Sequence, residues 1–112
     1  QVRMQQFAQI YQFILEKLKI LKPRRCIVML AGDFNVNGLL TDDTAEYEEM
    51  MQTLHRPTDL YRMVHPIEDR LKAITNEGVR LDYIFVYPPR VGLQANAIDI
   101  INCTVYQDWI VQ

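Results

Sequence analysis

A layered α/β (α+β) domain is what this sequence predicts, and three observations carry the prediction. Apolar residues near the start recur at helical spacing, a dense apolar run follows at Cys26–Ala31, and two later stretches are rich in branched and aromatic residues. The expected order is helix, strand, helix, strand, strand, without internal repeats, and elements of both kinds in one short chain pack as layers around one core. At 112 residues the chain forms one domain at most. A composition of 49% hydrophobic and 23% charged residues, with four Gly and five Pro, belongs to a folded globular protein rather than a disordered one.

The first element is a helix. Met4, Phe7, Ile10, Tyr11, Ile14, Leu18 and Leu21 share one face, and Gln5, Gln6, Gln9, Gln12, Glu16, Lys17 and Lys19 take the others. Basic residues in its last turns suit the helix dipole, and Pro23 stops it. Cys26–Ala31 is apolar at every position and reads as a strand buried on both faces.

A second helix follows the next loop, with Asp43 and Glu46 spaced as a capping box and Ala45, Tyr47, Met50, Met51 and Leu54 as its apolar side. His55 to Thr58, with Pro57, break that pattern; "DLYRMVHP" reads equally as a short strand or a turn. Pro66 to Gly78 is polar and loop-like apart from Leu71, Ala73 and Ile74. "VRLDYIFVYPP" is a strand closed by two prolines. Ala97 to Tyr106, rich in Ile and Val, is a further one.

Twelve basic residues against fourteen acidic ones give nothing global that steers the chain to nucleic acid or an anionic membrane. The basic patch of Lys17, Lys19, Lys22, Arg24 and Arg25 and the acidic one of Asp42, Asp43, Glu46, Glu48 and Glu49 read as solvated surface. Cys26 and Cys103 form no CxxC pair, so neither a disulfide framework nor a zinc site is indicated, and a single bridge between them stays open. No apolar run approaches the ~20 residues that span a bilayer, and no signal-peptide pattern is present.

Chemistry concentrates where the first strand ends, in "GDFNVN". Residues two apart in an extended segment share a face, so Asp33 and Asn35 converge while Phe34 turns the other way into the core. A carboxylate beside an amide suits a phosphate ester bound with a hard divalent cation: the acid offers oxygens to the metal, and the amide donates to a phosphate oxygen without repelling it. The plainer alternative is an Asx turn, in which both side chains serve local backbone. Gly32 removes a side chain where a neighbour or substrate could approach. Asp82 lies within an otherwise apolar strand, where an ionised acid needs a partner. That partner is either structural, such as Arg80, or a histidine that Asp82 orients. His55 and His65 are the histidines on offer, and both read as surface or structural.

"GDFN" ending a strand, followed by "RLDYIFV", resembles the endonuclease/exonuclease/phosphatase superfamily of Mg2+-dependent phosphoesterases. "GDFNVN", "TAEYEEMMQTL" and "VYQDW" are most similar to the neutral, bacterial-type sphingomyelinases. The resemblance implies a four-layer α/β/β/α sandwich of the DNase I-like type, of which residues 1–112 would be the rear half. It also implies Mg2+ as cofactor, a phospholipid substrate at a membrane surface in preference to nucleic acid, a secreted or extracellular setting, and hydrolysis of sphingomyelin to ceramide and phosphocholine.

By position, Asp33 matches the aspartate near the attacking water and metal, Asn35 the asparagine that contacts the scissile phosphate, and Asp82 the aspartate that orients the catalytic histidine. Here the family's Ser-Asp-His signature is replaced: Val111 and Gln112 stand where its aspartate and histidine would fall. The front half, with its metal-binding glutamate, is expected to be missing as well, which fits a chain that enters a helical pattern almost at Gln1. The alternatives are another phosphoesterase or nuclease of the superfamily and a catalytically inactive fragment or paralogue.

Overall fold

A computed structural model of the chain describes residues 2–21, 27–87, 102–105 and 107. Its elements are α1 (Val2–Leu21), β1 (Met29–Asp33), α2 (Ala45–Thr53), β2 (Thr58–Asp59), α3 (Leu60–Val64), α4 (Arg70–Ala73) and β3 (Asp82–Val86). The class is mixed α+β, as expected. The strands form one antiparallel sheet in the order β1-β3-β2.

Alternation in β3 decides what the sheet buries. Tyr83 and Phe85 point to one face and are buried, whereas Asp82 and Ile84 point to the other and are exposed. On the buried face they meet Phe34, Met4 and Phe7 of α1, Tyr47, Met50 and Met51 of α2, and Leu54 at the C-cap of α2. A smaller cluster of Leu39, Tyr61 and Ala73 takes in Ile74, Cys103 and Val105. The helical period of α1 and the apolar side of α2 are thus used largely as the sequence predicts, except that Ala45 is exposed.

The first strand departs from expectation. It starts at Met29, and its residues are exposed or half-buried rather than buried on both faces. Among the described residues β1 is an edge strand with β3 as its single neighbour, and its outer face carries Met29, which is 58% exposed. An apolar run shows that a strand can be covered, not that it is. Cys26, Lys22, Pro23, Arg24, Arg25 and the 97–101 part of the last predicted strand lie outside the described residues, while 102–105 have no regular structure.

Local capping also differs. Ala45 N donates to Asp43 Oδ1 at 3.0 Å, but the helix is capped at Thr44 without a side-chain bond, and Glu46 is drawn away to Arg3 Nη1 at 2.8 Å. The capping box therefore does not form. "DLYRMVHP" resolves into the end of β2 and α3, with Asp59 accepting from Arg62 N, and the polar stretch before Gly78 contains α4.

Two buried tyrosines and one half-buried one make the fold sensitive to alkali. Burial raises the phenols of Tyr47 and Tyr83 far above their ordinary value of 10.0, and pushes that of Tyr87 up to about 12. A raised folded-state value means that the unfolded chain loses its protons first. Their contribution is complete below pH 10 and falls as pH climbs toward 12 and above. Urea midpoints measured at rising pH are expected to decline steeply from about pH 10.

Candidate functional site

The "GDFNVNG" segment is built by its neighbours more than by its own turn. Gly32 has φ +151°, a conformation that L side chains rarely adopt, and a Cβ there would meet nothing within 4 Å. Backbone shape, not a close approach, calls for glycine at this position. Phe34 N donates to Leu81 O at 2.9 Å, and the Phe34 ring packs against Phe7, Tyr83 and Phe85 at centroid distances of 5.6, 5.7 and 5.3 Å.

Past that anchor the chain turns. Asn35 adopts φ +54°, which asparagine tolerates, and its N–H donates to Asp33 Oδ1 at 2.9 Å. The Asx turn is therefore real, and it leaves Asp33 Oδ2 free among the described residues. The extended geometry needed to align the Asp33 and Asn35 side chains ends at Asp33.

Further along, Asn37 Oδ1 accepts from Leu39 N and Arg80 N, both at 3.2 Å, while Gly38 N donates to Arg80 O at 2.9 Å. Tyr83 Oη donates to Val36 O. At Gly38 a Cβ would lie 2.6 Å from Tyr83 Oη and 2.9 Å from Arg80 Nη2, so here the close approach is the reason for glycine.

Beneath this loop lies a polar group that sequence reading missed. Arg80, 1% exposed, donates through Nη2 to Asp59 Oδ2 at 2.6 Å and through Nη1 to Asp59 Oδ1 at 3.3 Å. Tyr47 Oη donates to the same carboxylate at 2.8 Å. Arg62 lies with its guanidinium carbon 3.6 Å from the Tyr47 ring centroid and reaches Gly38 O with Nη2 at 3.1 Å. Burial favours loss of the Arg80 proton, but the bonds and charge of Asp59 outweigh it, and the net shift is upward. Arg80 is thus committed to Asp59, and is not the partner of Asp82.

Asp82 itself is exposed, contrary to the expectation drawn from its apolar neighbours. Its N–H donates to Thr75 Oγ1 at 3.2 Å. More telling is its register: Asp82 stands directly opposite Asp33 across β1 and β3. Ladder bonds from Phe34 N to Leu81 O and from Tyr87 N to Val28 O fix the alternation, which makes Asp33 and Asp82 a non-hydrogen-bonded pair. Side chains in such pairs share a face, with Cβ atoms about 4.5–5.5 Å apart. The sequence signalled each aspartate separately; strand register brings them together.

Two recesses flank this pair. One, of about 670 Å3, is lined by Asp82, Ile84, Arg80, Tyr61, Thr75 and Val105 among others. The other, of about 690 Å3, lies between α1 and β1 and includes Asp33 and Asn35. Neither histidine joins them. His65 Nε2 lies 2.6 Å from Cys103 O, to which it donates, and its ring stacks on Tyr61; His55 stacks on Tyr11 at 3.8 Å. Cys103 is a half-buried free thiol whose proton burial holds on.

Among the described residues no group of three or more His, Cys, Asp or Glu could hold a metal ion. What remains is a two-carboxylate set, which is the kind of set Mg2+ uses when it keeps several of its waters. Much of the acidic patch is engaged elsewhere: Asp42 pairs with Arg70 at 2.6 Å, whose hydrogen bond, with that of Asn37, lowers the Asp42 carboxyl, and Glu48 lies 3.9 Å from Arg56. No helix among the described residues is long and apolar enough to cross a membrane. No family model, curated protein or solved structure matches this chain.

Proposed function

We propose that the chain is part of a Mg2+-dependent phosphodiesterase that hydrolyses sphingomyelin to ceramide and phosphocholine at a membrane surface. The observation that carries the reading is the registration of Asp33 with Asp82, which joins the two short motifs of the resemblance at one place on the sheet. Like charges directly opposed across a sheet are destabilising, and a divalent cation turns that repulsion into attraction.

In this reading Asp33 Oδ2 and the Asp82 carboxylate face the cation, a role for Asp82 that departs from the histidine-orienting one the resemblance implies, while the Asn35 amide donates to a phosphate oxygen. Bound Mg2+ would supply charge to the phosphate and acidify a water. The finer fold belongs to the same proposal: the exposed face carrying Met29, Ala31 and Ile84 is where the second sheet of a four-layer sandwich would pack.

A second reading has its own support. No histidine among the described residues hydrogen-bonds Asp82, so among these residues Asp82 has no proton acceptor of the kind the reaction needs beside it. The chain alone is therefore proposed to bind without turning over. NMR of the Asp33, Asn35 and Asp82 amides, during addition of Mg2+ and then phosphocholine, tests both readings. Phosphocholine is expected to shift these signals only with Mg2+ present, and sphingomyelin vesicles to stay intact. A nucleoside monophosphate that replaces phosphocholine in this role would favour a nuclease. Hydrolysis abolished by Asp33→Ala would overturn the inactive reading.

A further inference from the structure

Among the described residues, β1 presents an unused row of backbone groups. The alternation fixed by Phe34 N to Leu81 O and Tyr87 N to Val28 O sends the N–H and C=O groups of Met29, Ala31 and Asp33 away from β3. Ala31 and Asp33 also line the recess of about 690 Å3, whose opposite wall includes Val2, Arg3, Gln6 and Ile10 of α1. Neither lysine nor proline interrupts Ile27–Asp33, and the only charge on this edge strand is Asp33 at its end. Arg3 Nη1 takes Asn35 O at 2.7 Å and closes the recess at that end.

We propose that this edge is a strand-addition site and that its occupant is β1 of a second copy of the chain, antiparallel about a dyad at Leu30. The parity of the edge permits it. With Leu30 facing Leu30, Met29 of each copy meets Ala31 of the other, and these are the residues whose backbone groups point outward. Large faces small at each such pair, and Asp33 meets Ile27 rather than a second carboxylate, so no like charges are opposed.

The helices favour the same occupant. A dyad normal to the sheet keeps both α1 helices on one side, flanking the new strand pair. Val2 and Phe13, 70% and 58% exposed, share a stripe with Gln6, Ile10 and Lys17 at helical spacing, and the partner helix would cover them. Growth stops at two chains, because the remaining edge among the described residues is the two-residue β2. The result is a closed, isologous dimer with one continuous sheet.

Sedimentation velocity over a concentration series, with amide hydrogen exchange in the same samples, tests this. A monomer–dimer equilibrium is expected, with Met29, Ala31 and Asp33 amides protected only as the dimer fills. Ala31→Pro removes an outward N–H and leaves the β1–β3 ladder intact, a place where edge strands tolerate proline. It is expected to weaken the dimer by at least about tenfold while far-UV circular dichroism is unchanged. If that variant fails to fold, wild-type exchange still decides. A chain that stays monomeric, a dimer whose three amides remain unprotected, protection already present in the monomer, or open-ended oligomers would each overturn the proposal.

Discussion

Asp59→Ala lowers the stability of the chain by about 3–5 kcal/mol, a large part of the roughly 5–15 kcal/mol that holds a typical domain together. The side chain is 3% exposed and accepts from Arg80, Tyr47 and the Arg62 backbone. Its removal leaves the Arg80 guanidinium buried without a counter-charge, the Tyr47 hydroxyl without an acceptor and α3 without its cap. The Nε atoms of Arg62 and Arg80 already lack partners among the described residues, so no spare acceptor stands ready. Urea unfolding measures the effect; a loss below about 1 kcal/mol would mean that water reaches Arg80.

Phe85→Ala costs about 3–5 kcal/mol by the same measurement. Phe85 is 0% exposed and lies between Phe34 and Tyr83 at 5.3 and 5.1 Å, so truncation opens a cavity where the sheet meets the Phe34 anchor. Ile84, its neighbour on the opposite face, is 40% exposed. Ile84→Ala is expected to change stability by about 0.5 kcal/mol or less. Comparable losses at both positions would contradict the one-sided burial of β3.

Why the sequence revealed some of this and not the rest is a matter of range. The apolar stripe of α1 and the alternation of Tyr83 and Phe85 are local patterns, and both are legible directly. Exposure of β1 is not local, because burial depends on what packs against the strand. Asp82 looked buried from its apolar neighbours, yet alternation alone could have placed it outward with Ile84 once Tyr83 and Phe85 were assigned inward. The capping box failed for a distant reason, since Arg3 competes for Glu46 across 43 positions. Asp59 and Arg80 likewise meet across 21 positions, and nothing near either residue announces the pair.

At the candidate site the sequence named Asp33, Asn35 and Asp82, whereas their geometry came from register. The expected alignment of Asp33 with Asn35 gave way to an Asx turn, and the juxtaposition that matters runs across the strands instead. Gly38 illustrates the same division: its place after "NVN" marks a turn, but the reason no side chain fits is a tyrosine 45 positions away in "DYIFV".

The pairing of Asp33 with Asp82 as a cation site is tested most directly by thermal unfolding of wild type, Asp33→Asn and Asp82→Asn with and without Mg2+. Without the metal, each variant is predicted to be about 0.2–1 kcal/mol more stable than wild type, because a like-charge pair is relieved. With it, wild type gains stability by mass action and both variants lose most of that gain. Variants no more stable than wild type in the absence of metal, and responding to Mg2+ as wild type does, would contradict the account.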